Sequence, residues 1–167
     1  MEKLWSPWRS QYIDSFKSDA EPGKCIFCQM AELNPEDLDN LLIDRGNFTF
    51  TVLNLYPYNN GHLMIVPFRH TNDFTSLNKD EYTEAIEKLQ LAQRALAKVL
   101  SPHGFNIGAN IGKVAGAGID DHIHFHIVPR WNGDSNFMPV LGDVKVISQD
   151  LKETKNKLLK AYLELIK

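Results

Sequence analysis

The alternation of hydrophobic and polar positions sorts the chain into short strands, helices and connecting loops. The sharpest pattern is His122-Ile123-His124-Phe125-His126-Ile127-Val128, where imidazoles alternate strictly with large apolar side chains. Successive side chains of a strand point to opposite faces. The three imidazoles are therefore expected on one face, and Ile123, Phe125 and Ile127 on the other. The apolar face can bury against a core, while the imidazole face is left to line a site. Residues 41–44 and 48–53 read as strands around an Arg45-Gly46-Asn47 turn, and residues 62–66 as a strand that stops at Pro67. One more strand is expected over residues 105–111.

Helical spacing appears elsewhere. Asn78 with Glu81 three residues on resembles a capping box. Tyr82, Ile86, Leu89, Leu96 and Val99 then keep one face of a long helix, which Ser101-Pro102-His103-Gly104 ends. A short helix is expected through residues 27–33. A C-terminal helix is expected from near Ser148, with Leu151, Leu158, Tyr162 and Leu165 as its apolar stripe and its lysines on a solvated face. Strands, helix, strands and helix in this order predict an α+β fold with a mostly antiparallel sheet. Residues 1–24 read as an N-terminal arm. Its Trp5, Trp8, Tyr12 and Phe16 suit packing on the body or on a second subunit.

Length and composition narrow the picture. A chain of 167 residues suits one domain with a real core, and 43% hydrophobic with 23% charged residues is ordinary for a soluble protein. A net charge of −3 gives no bulk electrostatic case for binding nucleic acid. No apolar run reaches the length of a membrane span, and the first residues lack the apolar centre of a signal peptide. A cytoplasmic location is the expectation. Cys25 and Cys28 form a lone C-x-x-C, which in a reducing compartment points to metal or redox chemistry.

Histidine can be nucleophile, proton carrier, phosphate donor or metal ligand near neutral pH. One structural histidine on a strand is commonplace, but three at strict alternation are not. A single metal is a poor account of all three. Residues i and i+4 of a strand lie about 13 Å apart at Cα, whereas zinc holds nitrogen at about 2 Å. At least one imidazole is left for chemistry. The 112–118 loop ahead of the histidines, Gly112-Lys113-Val114-Ala115-Gly116-Ala117-Gly118, can expose backbone N–H groups to an anion, although its spacing is not that of a Walker A loop.

Together with Gly61-His62 before an apolar strand and Asn110 before the glycine-rich loop, the histidine alternation resembles the histidine triad (HIT) superfamily over nearly the whole chain. Within it, the chain is similar to the bacterial diadenosine tetraphosphate phosphorylases. That likeness lies in Leu4-Trp5-Ser6-Pro7-Trp8-Arg9, Asn54-Leu55-Tyr56-Pro57-Tyr58-Asn59, Pro102-His103-Gly104-Phe105-Asn106 and Val128-Pro129-Arg130-Trp131. The resemblance implies one HIT domain over residues 1–167, acting as a homodimer on nucleotides or dinucleoside polyphosphates, with inorganic phosphate as acceptor. It implies no organic cofactor, no nucleic acid and no membrane partner.

By the same resemblance His124 is the nucleophile toward an α-phosphorus, forming a nucleotidyl-histidine. His126 then donates to a phosphate oxygen or the leaving group, and His62 contacts phosphate or orders the other histidines. Asn54 falls at the ribose hydroxyls, Asn110 near the phosphates with Gly116 and Gly118, and Phe48, Leu53 and Ile43 are candidates for the base cleft. Cys25, Cys28, His70 and His122 correspond to a structural zinc set. The loop departs from the family pattern: many members carry Gln and Ser or Thr just before the triad, where this chain has Ala117-Gly118-Ile119-Asp120-Asp121. Two alternatives stay open at this level. One is a nucleotide or nucleoside phosphoramidate hydrolase releasing a nucleoside monophosphate. The other is a nucleotide-binding interaction module.

Overall fold

The computed structural model describes residues 25–134 and 150–166. The N-terminal arm and Ser148 therefore lie outside the described residues. Five strands form one sheet: β1 (Leu42–Arg45), β2 (Thr49–Leu53), β3 (Leu63–Pro67), β4 (Gly104–Gly108) and β5 (Phe125–Arg130). Their spatial order is β1-β2-β3-β5-β4, and every neighbouring pair is antiparallel. Among the described residues three α-helices accompany them: α1 (Ile26–Met30), α2 (Lys79–Leu100) and α3 (Leu151–Leu165). The expected α+β class is the observed one. Among the described residues no helix is long and apolar enough to cross a membrane.

The sheet's centre is its driest part. β2 and β3 are buried at every position, and Phe50, Val52, Leu63, Ile65, Val66 and Ile127 are fully closed from solvent. At about 25 cal/mol per Å² of apolar surface, such side chains anchor the strands that carry the histidines. Helix α2 starts where expected. The Asn78 side chain accepts from the N–H groups of Asp80 and Glu81 at 3.0 Å each, and Glu81 Oε2 accepts from Asn78 N at 2.9 Å. Ser101 ends it in the left-handed conformation at φ 47°. Gly61 turns the chain into β3 at φ 73°, and a Cβ there would lie 2.5 Å from Leu100 Cδ1 of α2. Only glycine meets both the conformation and the close approach.

Several boundaries and faces differ from the sequence reading. The buried face of α2 is rotated from the expected one. Tyr82 and Ile86 are about half exposed (47% and 51%), whereas Ala85, Leu89, Ala92, Ala95 and Leu96 are buried. Three alanines share the buried face with Leu89, Leu91 and Leu96, and Tyr82 and Ile86 lie to one side of it. Helix α1 stops at Met30, where the backbone bonds pass to i→i−3 (Glu32 N to Gln29 O, Leu33 N to Met30 O) and the Arg45 guanidinium takes the carbonyls of Ala31 and Leu33. β4 stops at Gly108 rather than residue 111, since Gly108 opposite His126 is its last pair. The lysines of α3 are not all solvated. Lys155 is fully buried, its Nζ donating to Asp37 O (2.6 Å), Asn40 O (3.1 Å) and Asn40 Oδ1 (3.0 Å). Those three acceptors offset the loss of water around the ammonium.

Candidate active site

β5 begins only at Phe125, so His122 and His124 precede the regular ladder. The chain there is held differently: Ile123 N donates to Thr71 O at 2.7 Å. Contrary to the expected division into a buried apolar face and an open imidazole face, all three histidines are buried, with Ile123 and Ile127. They divide into two groups. His124 and His126 lie ring to ring at 4.8 Å, and His62 joins His126 at 5.0 Å. His122 instead meets His70 at 5.0 Å.

Each ring's proton can be placed from its partners. His124 Nδ1 lies 2.9 Å from the His122 carbonyl, which can only accept. Nδ1 therefore carries the proton, and Nε2 is left as a lone pair. Burial pushes the His124 pKa below the ordinary 6.5, so the ring is neutral at pH 7. At His62, the Tyr58 backbone N–H donates to Nδ1 at 3.0 Å, with Asn54 Nδ2 a second, longer donor at 3.3 Å. His62 thus holds its proton on Nε2, which faces His126 Nδ1 at 2.9 Å. His126 in turn carries its proton on Nε2, a buried atom with no hydrogen-bond partner among the described residues. The result is a lone pair on His124 beside an N–H on His126 that has no partner among the described residues.

Burial, then the nearby His126 and His124, push His62 down to about 3. Burial, then His124, push His126 down to about 4. In the unfolded chain both protonate near 6.5. Between those limits the unfolded state binds more protons, so stability is complete above about 6.5 and weakens as pH falls toward 4 and then 3. The expected slope is up to about 1.4 kcal/mol per pH unit for each histidine still neutral. Urea denaturation at pH 7 and pH 5 measures it, and His62→Asn should lessen the pH dependence. An equal dependence in both proteins would remove His62 from this account.

The second group is a set of metal-ligating donors. The donor atoms of Cys25, Cys28, His70 and His122 all lie within 4.8 Å of one another. Cys25 Sγ is 3.3 Å from His122 Nδ1, Cys28 Sγ is 3.4 Å from His70 Nδ1 and 3.7 Å from His122 Nδ1. A tetrahedral zinc with sulfur at about 2.3 Å and nitrogen at about 2.0 Å has S···N edges of about 3.5 Å, so the cage matches. The His122 tautomer matches too: Nε2–H donates to Pro67 O at 2.9 Å, leaving Nδ1 free to ligate. Burial and the neighbouring Cys25 push the Cys28 thiol up. A bound dication would reverse that and hold a thiolate.

The other expected residues fall in different places. Asn54 stands beside His62, its Oδ1 accepting from Tyr56 N at 2.9 Å. Asn110 and Gly116 are brought together within the loop, with Nδ2 donating to Gly116 O at 3.4 Å and Gly116 at φ 90°. Gly118 is exposed in the same loop. Leu53 and Ile43 are closed inside the core. Leu53 pairs with Leu63, which pairs with Ile127. By the period-two rule Leu53 faces away from His126. Phe48 is 39% exposed beyond the opposite end of β2, beside Phe68, and is not brought to the histidines.

Two residues of the site were missed in the sequence. Phe27 is buried with its ring 4.9 Å from His124 and 5.6 Å from His122, bridging the two groups. Tyr58 lays its ring 4.6 Å from His62 and supplies the backbone N–H that fixes that imidazole. The only signals for them were position: Phe27 lies inside the C-x-x-C, and Tyr58 four residues before His62.

A five-stranded antiparallel sheet presenting paired imidazoles beside a Cys₂His₂ cage defines a histidine-based enzyme site with a separate metal-ligating corner. Comparison with known proteins agrees: the HIT domain matches residues 36–133, and the chain belongs to the HIT family. The chain is 40% identical over 163 residues to an AP-4-A phosphorylase of Mycobacterium tuberculosis, covering 95% of this chain and 83% of that one. It is 27% identical over 133 residues to an adenosine 5'-monophosphoramidase of Saccharomyces cerevisiae, covering 78% and 77%. Both relatives carry the names of enzymes, and this chain is an enzyme of the same family. A Zn-bound histidine triad family protein from Mycobacterium smegmatis has the same fold, with a TM-score of 0.68 and 27% identity over 86% of this chain and 96% of that one.

Proposed function

We propose that the protein is a dinucleoside polyphosphate phosphorylase that converts diadenosine tetraphosphate and inorganic phosphate into ATP and ADP. The observation that carries this reading is His124 pinned through Nδ1 to the His122 carbonyl, with its Nε2 lone pair free. The AP-4-A phosphorylase name of the 40% identical relative supports the choice of substrate. In the first step, His124 Nε2 attacks the α-phosphorus. The bond from that phosphorus to its bridging oxygen breaks, and ATP departs with the oxygen. The His126 Nε2–H donates a hydrogen bond to the charge that develops there. The adenylylated imidazole keeps its Nδ1 proton and is therefore cationic, stabilised by the His122 carbonyl. In the second step, an oxygen of inorganic phosphate attacks the same phosphorus. The N–P bond breaks, ADP forms, and His124 returns neutral. A covalent intermediate splits one difficult displacement into two easier ones.

In this reading Asn54 addresses the ribose hydroxyls, and Asn110 with the Gly116 and Gly118 backbone addresses the phosphates. Zinc is the ion for Cys25, Cys28, His70 and His122. When bound it serves as a structural clamp, because four protein donors close the tetrahedron and leave no open position. A homodimeric assembly and a cytoplasmic setting belong to the same proposal.

Product analysis with diadenosine tetraphosphate, with and without inorganic phosphate, tests the reading. ADP plus ATP formed only in the presence of phosphate is the expected outcome. AMP plus ATP formed without phosphate would make water the acceptor and the protein a hydrolase. Nucleotide binding with negligible turnover in both tubes would point to the interaction module.

A further inference from the structure

Asn59 and Asp134 lie apart from the reacting groups and have no part in the chemistry above, yet both are nearly closed from solvent. Asn59 is 7% exposed and the Asp134 side chain 8%. Asn59 Nδ2 donates to Pro129 O at 3.0 Å and to Asp134 Oδ2 at 2.8 Å. Its backbone oxygen accepts from His62 N at 3.2 Å. Asp134 is itself fixed, accepting from Arg130 Nε at 2.6 Å, Arg130 Nη2 at 2.8 Å and Trp131 N at 3.1 Å. The loop that ends in His62 is thereby fastened to the far end of β5, the strand that carries His126.

We infer that the Asn59–Asp134 clip is a positioning device that selects which ring nitrogen of His62, and through it of His126, carries the proton. A buried amide bonded to both a backbone carbonyl and a carboxylate resists displacement far better than an exposed turn residue does. What it holds in place is Tyr58, the next residue back, whose N–H forces His62 Nδ1 to be an acceptor. Asn54, held to His62 O through its own backbone N–H at 2.9 Å, also donates to that nitrogen, but over a longer 3.3 Å, so the Tyr58 N–H is the closer donor.

The consequence reaches the substrate. If Tyr58 N–H drifts away, His62 is free to carry its proton on Nδ1 and to present a lone pair to His126. His126 then answers with Nδ1–H, and its Nε2 becomes a lone pair. A lone pair there repels a phosphate oxygen, whereas an N–H binds it. The two ring tautomers differ by no net charge and by no atom, and their intrinsic preference, modestly toward Nε2–H, is small enough for hydrogen-bond partners to decide between them.

The inference rests on the reading of His126 as a donor to phosphate, but its first test needs no substrate. Ring ¹⁵N–¹H correlation spectra of the substrate-free protein are expected to show His62 and His126 in the Nε2–H form. In Asn59→Ala, the Nδ1–H form is expected to appear at both rings. Turnover should show kcat reduced roughly tenfold or more, with KM changed by less than about threefold. Asp134→Asn keeps an acceptor for Asn59 and is expected to retain the tautomer and most of kcat. Asp134→Ala, which acts from outside the loop, should reproduce the Asn59→Ala spectra and serves if that variant does not fold. Unchanged Nε2–H signals at both rings in a folded Asn59→Ala or Asp134→Ala protein would overturn the inference. Failure of the wild type to turn over dinucleoside polyphosphates would count against the proposed function alone, and the ring spectra would still decide the clip.

Discussion

Replacing His124 with Asn is expected to leave the fold intact and to reduce turnover of diadenosine tetraphosphate by on the order of 10⁴-fold or more. Asn keeps a side-chain N–H able to reach the His122 carbonyl, the bond that now fixes His124 Nδ1 at 2.9 Å. It lacks the nucleophilic lone pair of Nε2, so the covalent route closes. His126→Ala should cost less, about 10²–10⁴-fold, because it removes one donor to the leaving group and leaves the nucleophile. Quenching the reaction with α-phosphate-labelled substrate distinguishes the roles. The wild type should yield labelled protein stable to alkali and labile to acid, as an N–P bond is, and His124→Asn none. A His124→Asn rate within tenfold of wild type would remove His124 from the mechanism.

The second large effect is expected at the Cys₂His₂ cage. Purified wild type should carry about one zinc per chain, and Cys25→Ser should lose it. Loss of a closed structural ion costs several kcal/mol, which for a chain of this size lowers Tm by roughly 10 °C or more. The damage should also reach turnover. His122 holds the cage through Nδ1, and its carbonyl holds His124 Nδ1, so a loosened cage misaims the nucleophile. Phe27, between the two cysteines and against both rings, couples them further. Elemental analysis beside a thermal melt measures both quantities. Zinc that is sub-stoichiometric and unchanged in Cys25→Ser, or a melt that moves by less than about 2 °C, would refute the site.

Much of this architecture is legible in the chain. The capping box at Asn78 and Glu81 is local chemistry within three residues, and it forms as read. The strand cores announce themselves because β2 and β3 are buried on both faces, β3 being apolar throughout and β2 rich in β-branched and apolar residues. The α2 face was misread because period alone does not say which side of a helix meets the sheet. Tyr82 and Ile86 fit the period, yet the buried face is centred on Ala85, Leu89, Ala92 and Leu96. Lys155 was misread for a related reason: nothing near it in sequence marks Asp37 and Asn40 as its acceptors, more than a hundred residues away.

At the site, the alternation of His122, His124 and His126 with apolar residues identified the segment, and the C-x-x-C identified a possible metal corner. Composition, local spacing and resemblance sufficed for that, because residue type and i, i+2 periodicity are written in the chain itself. The tertiary structure supplies the geometry, gathering His122 with Cys25, Cys28 and His70 and stacking His124 against His126 in a separate group. It also set His62 against His126, placed Phe27 and Tyr58 on the rings, and turned Leu53 to the opposite face. Those outcomes depend on backbone carbonyls and N–H groups delivered by distant segments: Pro67 to His122, Tyr58 to His62, Thr71 to Ile123. A backbone donor or acceptor has no side-chain signature, so the proton positions that define the chemistry appear only when the chain is folded.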